Sequence, residues 1–214
     1  MRKLLISALL VCSVAPWAGT ARAVSVTGGD TTLRLTVDAN ALGVDISAVG
    51  SATVAPGGNA FLLPITLGEV TPDFKIGSVE HEGSGLDLDF GGATLRMENL
   101  RFDLSERQVV ADLSSGPLAL SLEVFNLKHC VDVVTAEVPC TGASGSPNEF
   151  GLFLRPQAAD FFENDVFGDR VFDDDDQIFL ATVNHSSVPE PAGLAWLALA
   201  LGGIGIGSHG RRRS

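Results

Sequence analysis

Apolar and polar positions alternate with a period of two through much of the chain. Leu33, Leu35 and Val37 alternate with Arg34, Thr36 and Asp38, and Leu86, Leu88 and Phe90 alternate with Asp87 and Asp89. Leu118, Leu120, Leu122 and Val124 alternate with Ala119, Ser121, Glu123 and Phe125. Successive side chains of a strand point to opposite faces, so each run reads as a strand with one buried face and one wet face, the pattern of antiparallel sheets. Between Ala93 and Leu104 the parity switches: Leu95 and Met97 share one phase, Leu100, Phe102 and Leu104 the other. A bulge or tight turn near Glu98-Asn99 would return all five to one face.

Turn-forming clusters cut these runs short at Pro56-Gly57-Gly58-Asn59, Gly83-Ser84-Gly85, Gly91-Gly92, Gly116-Pro117 and from Gly142 to Pro147. Gly91-Gly92 between two alternating runs predicts a two-residue hairpin. Helical spacing is confined to a turn around Pro156 to Phe162. The expected fold is all-β, an antiparallel β-sandwich with an open barrel as the alternative.

The ends read differently. Met1-Arg2-Lys3, the aliphatic run from Leu4 to Ala15 and the small-x-small Ala21-Arg22-Ala23 together predict a signal peptide, residues 1–23, cleaved after Ala23. Near the C-terminus Val188-Pro189-Glu190-Pro191 precedes an uncharged run from Ala192 to Ser208, followed by Arg211-Arg212-Arg213. As a transmembrane helix that run would rise about 25 Å, slightly short of a hydrocarbon core of about 30 Å. The arginines would hold its far end in the cytoplasm, leaving residues 24–187 as an extracytoplasmic domain in the periplasm.

Charge narrows the choice of partners. Residues 24–187 carry eight basic and 25 acidic side chains, a net charge near −17, which repels phosphate backbones and argues against nucleic acid. Cys12 falls within the signal peptide, so Cys130 and Cys140 remain, a pair suited to a disulfide in an oxidising compartment. Such a bridge would contribute roughly 2–3 kcal/mol. The alternative is a metal site with the adjacent His129, which lacks a fourth ligand.

The segment from Asp160 to Asp176 interleaves carboxylates with phenylalanines. It reads as an edge strand or long loop with its rings docked on the core, or as a calcium site centred on Asp173, Asp174, Asp175 and Asp176. No other cofactor is expected. His81, between Glu80 and Glu82, faces away from both in a strand and is expected to bond a turn backbone. Gly142-Ala143-Ser144-Gly145-Ser146 does not match the nucleophile elbow of serine hydrolases and reads as a flexible turn. No catalytic residue is assigned; a hydrolase working through an unrecognised carboxylate pair is the enzymatic alternative.

Val188 to Pro191, the apolar run and the basic tail resemble the PEP-CTERM sorting signal of Gram-negative bacteria over residues 188–214. That resemblance implies processing by an exosortase-type enzyme, a transient inner-membrane anchor, and release or attachment at the cell envelope, in settings where exopolysaccharide and biofilm matrix are made. Within the body, Phe61-Leu62-Leu63-Pro64-Ile65-Thr66-Leu67-Gly68, then Gly77-Ser78-Val79-Glu80-His81-Glu82-Gly83-Ser84-Gly85-Leu86 and Asn99-Leu100-Arg101-Phe102-Asp103, are similar to haem-transport-associated (HtaA) β-rich domains. Haem ligation in that family is associated with a tyrosine, and this chain has none. The expected function is therefore a non-enzymatic, exported envelope or matrix protein. The alternative is a domain binding a small haem-like ligand or divalent cation.

Overall fold

Residues 23–71, 74, 77–130 and 140–187 are described in a computed structural model. Among them eleven strands pair in one sheet: β1 (Val24–Leu35), β2 (Val44–Gly50), β3 (Thr53–Val54), β4 (Ala60–Pro64), β5 (Leu67–Val70), β6 (Gly77–Phe90), β7 (Ala93–Asp103), β8 (Gln108–Ser115), β9 (Leu118–His129), β10 (Glu149–Leu154) and β11 (Gln177–Ser187). Every pairing is antiparallel. The all-β antiparallel expectation holds. The outer strands of the sequence also meet, β1 against β11 from Val26↔Ser187 to Leu35↔Phe179, so the pairings run round in a closed ring about one apolar core.

The ring forks on one side. The lower half of β6 pairs with β5 and its upper half with β2. Likewise β1 pairs with β5 near its start and with β4 further on. Where β6 changes partner it bulges between His81 and Gly85, opposite the bulge of β7 between Glu98 and Arg101. Asn99 takes a positive φ of 54° there, and Leu95, Met97, Leu100, Phe102 and Leu104 are all buried, as the parity switch requires. Gly91 and Gly92, with φ of 59° and 88°, form the two-residue β6–β7 turn, a geometry open to glycine and strained for most side chains.

One strand departs from its simple alternation. β8 and β9 slip register between Val109 and Val110, leaving Val124 as the extra residue of a bulge. Val124 and Phe125 are therefore both buried, and Phe125 does not lie on the wet face. Its ring meets Phe179 edge-on, with centroids 5.9 Å apart.

The acidic, phenylalanine-rich segment is not an edge strand. Pro156–Phe161 is a short helix, α1, begun by proline at its first turn, and it continues as a π-helical turn over Phe162–Phe167. Gly168 ends it in the left-handed conformation, φ 75°, its N–H bonded to Glu163 O at 2.7 Å. Phe162 and Phe172 are buried, with Phe161 and Phe167 packed partly against them, so the rings dock as expected although the backbone is helical. This crossover, the β6–β7 and β8–β9 hairpins and the 36–43 loop all leave from one pole of the ring. The N-terminus of β1 and the C-terminus of β11 leave from the other.

Among the described residues no helix is long and apolar enough to cross a membrane. The predicted transmembrane helix, the Val188–Pro191 motif, Arg211–Arg213 and the signal peptide up to Arg22 lie outside the described residues.

Candidate functional site

Three places gather polar groups in ways that core packing alone does not demand. The first is the fork in the sheet. His81 is fully buried, its Nδ1 3.0 Å from Leu100 O and its Nε2 2.8 Å from Thr31 Oγ1. A carbonyl oxygen only accepts, so Nδ1 carries the proton and donates, and Nε2 accepts from the Thr31 hydroxyl. Burial pushes the His81 pKa down to about 4, against a smaller opposing effect of the Leu100 carbonyl. Ser84, also fully buried, donates to His81 O at 3.0 Å. His81 thus bonds the neighbouring strand β7 and, across the fork, β1, where a turn backbone was expected. Its neutral ring is a strut.

The second place is the segment between the cysteines and β10. Cys130 and Cys140 form the expected disulfide, which rules out a metal site made of these two with His129. His129 instead sets its ring edge-on to Phe150, centroids 5.0 Å apart. From Cys140 the chain runs as a strap over the outer face of β11 and β1. Leu180, facing outward between core-facing Phe179 and Ala181, packs under it with the disulfide and Ala143. Thr141 N donates to Gln177 Oε1 at 2.7 Å, the Arg34 guanidinium donates to Gly142 O, and Asn148 Nδ2 donates to Val183 O at 2.9 Å.

Glu149 organises the centre of the strap. Its Oε2 accepts from the N–H groups of Ser144 (2.8 Å), Gly145 (3.0 Å) and Ser146 (3.1 Å), and Oε1 from the Ser144 hydroxyl (3.0 Å). Burial works against the charged carboxylate, but the Ser144, Ser146 and Gly145 donors outweigh it and hold its pKa below the ordinary value. The serine-glycine stretch is accordingly an ordered nest around a carboxylate, not a flexible turn. Glycine-serine composition cannot reveal this, because the ordering group lies further along the chain.

The third place is a notch of about 450 Å³ at the pole where α1 sits, between the 36–43 loop and residues 170–176. Val37, Leu42, Val171 and Phe172 supply apolar walls, with Asp38, Arg170, Asp173 and Asp176 among the polar residues around it. Asp38 Oδ1 accepts from Ala41 N at 3.1 Å, and Asp176 Oδ2 from Asp173 N at 3.1 Å. Arg170 pairs with Asp174 at 2.9 Å, Asp173 at 3.0 Å and Glu163 at 3.7 Å, Asp174 foremost in raising its pKa.

The calcium candidates therefore divide. Asp173 and Asp174 are engaged by Arg170, Asp175 occupies a left-handed turn position at φ 64°, and Asp176 caps the turn. Among the described residues no three His, Cys, Asp or Glu side chains are grouped to hold a metal ion. Sequence reasoning passed over Arg170, whose i+3 and i+4 spacing to Asp173 and Asp174 was the available signal.

No protein-family profile and no curated protein sequence matches the chain. In fold it is similar to the C-terminal domain of HtaA from Corynebacterium glutamicum, seen in a crystal structure, with a TM-score of 0.50 and 12% identity, covering 77% of this chain and 99% of that one. At that identity the likeness establishes a shared arrangement of strands, in agreement with the resemblance read from residues 61–103.

Proposed function

We propose that this is a non-enzymatic protein of the cell envelope or extracellular matrix, displaying its acidic β domain outside the cytoplasm. The observation that carries the reading is the buried Cys130–Cys140 disulfide, a bond that persists where thiols are oxidised and is rare in reducing cytosol. The large negative charge suits a domain that stays soluble at high local density and repels anionic surfaces. On this reading residues 1–23 export the chain, and Val188–Pro191 with the following apolar run and arginines are the PEP-CTERM-like element for an exosortase-type enzyme. Exopolysaccharide is the natural neighbour of the displayed domain.

Fractionation of the native host, with intact-mass spectrometry and thiol alkylation, tests this. The expected product lies outside the cytoplasm, begins at Val24, lacks the C-terminal arginines and has no free thiol. Recovery from the cytosol with both ends intact and two alkylated cysteines would overturn it.

A second reading, a small-ligand domain, is favoured by the preformed notch and by the fold shared with the HtaA domain. Haem itself is a poor candidate, since the chain has no tyrosine. Adding haem is expected to leave its Soret band as in buffer. Calcium would raise the melting temperature if Asp173 to Asp176 gather round it, although Arg170 already neutralises two of them.

A further inference from the structure

We propose that the notch between the 36–43 loop and residues 170–176 binds small organic cations that carry an apolar, preferably aromatic, body. The inference sharpens the small-ligand reading and does not depend on export. Three features point to this class of ligand.

The walls are preformed. Thr36 N bonds Ile178 O at 3.0 Å, Val44 N bonds Ala39 O at 2.9 Å, and Asp38 caps the turn between them. On the other side Leu154 N and Asp176 O are 2.9 Å apart, and Asp175 N and Leu154 O 3.0 Å. Walls already tied by backbone hydrogen bonds spare a ligand part of the cost of ordering them. The volume, about 450 Å³, falls within the range usual for small-molecule sites.

The floor is apolar and in part wet. Phe172 is buried beneath it, Val37 and Val171 are half-buried, and Leu42 stands 39% exposed at the lip. An apolar ligand body would remove this surface from water.

The charge around the notch selects the sign. Asp38, Asp173 and Asp176 face Arg170, whose charge is already met by Asp174, Asp173 and Glu163. The carboxylates of Asp38 and Asp176 each keep one oxygen outside the turn-capping bonds they make, so a cation entering over the apolar floor meets net negative charge. An anion would meet repulsion at the same place.

The test uses the full-length protein and two probes of one shape, 1-naphthylmethylammonium and 1-naphthylacetate, followed by calorimetry at pH 7. The cation is expected to bind saturably with one site per chain, tenfold or more tightly than the anion, and more weakly as sodium chloride is raised. In the double variant Asp38→Asn, Asp176→Asn, which keeps the side-chain oxygens that cap both turns, affinity for the cation should fall at least fivefold with the melting temperature unchanged. Ala41→Trp, on the exposed turn beside the notch, should block binding by filling it. Equal binding of both probes, cation binding unaffected by either variant, or no saturable binding would each overturn the proposal.

Discussion

At the scale of single residues, the informative groups are polar ones enclosed by the fold. His81 is a base kept neutral: its folded pKa, about 4, lies below the ordinary 6.5. Because the unfolded chain takes up the proton first, His81 weakens the fold as pH falls from 6.5 towards 4, and the loss is complete below that range. The total is about 3 kcal/mol. Urea titrations at a series of pH values should show this decline, and His81→Leu should flatten it while changing stability at pH 7. Thr31→Val keeps shape but removes the donor to Nε2, at an expected cost of about 1–3 kcal/mol by the same measurement. Glu149 behaves with the opposite logic. Its pKa is held low, so its contribution is present above the ordinary carboxylate pKa and disappears as pH falls through the folded value. Glu149→Gln should speed hydrogen exchange at the Ser144, Gly145 and Ser146 amides and leave exchange in β6 and β7 unchanged.

At the scale of elements, bulges and close approaches do more than strand propensity. The paired irregularities at His81–Gly85 and Glu98–Arg101 let β6 serve two partners on one edge, and they put His81 at the junction. The bulge at Val124 turns Phe125 inward to meet Phe179. Gly29 is the tightest element of ring closure. A Cβ there would lie 2.1 Å from Asn184 O, in a backbone conformation with φ 114° that side chains rarely adopt. Gly29→Ala should therefore loosen β1 from β11 and lower stability by about 2 kcal/mol or more, read as a lower melting temperature and faster exchange along β11. Surface pairs such as Arg96–Asp87 bind strands from outside, and their solvent exposure limits what they contribute.

At the scale of the whole molecule, the closed ring means that the first and last strands complete one another. Val26 pairs with Ser187 and Leu35 with Phe179, so the last strand is a bridge between β10 and β1. Ending the chain after Asp176 should abolish cooperative unfolding altogether, measured by circular dichroism on heating. Contacts between such distant residues also imply folding on the millisecond-to-second scale. The disulfide acts more locally: reduction should lower stability by about 2–3 kcal/mol while the ring persists, because the strap is also held through Glu149, Arg34, Gln177 and Asn148.

Period-two alternation, glycine pairs and one parity switch were enough to read an antiparallel all-β body with a β-bulge at Asn99 and a hairpin at Gly91-Gly92. These features are local: side-chain alternation and backbone sterics act between near neighbours in the chain. The cysteine pairing was legible for a similar reason, since only two cysteines follow the predicted cleavage site. Ring closure through β1 and β11, the burial of Phe125 and the notch beside Arg170 were decided only by tertiary structure. Each depends on groups brought together from distant or differently phased stretches, where no pattern of neighbours carries the information. The same holds for His81: its sequence context showed which way it points, but its partners Thr31 and Leu100 exist only once the fork in the sheet has formed.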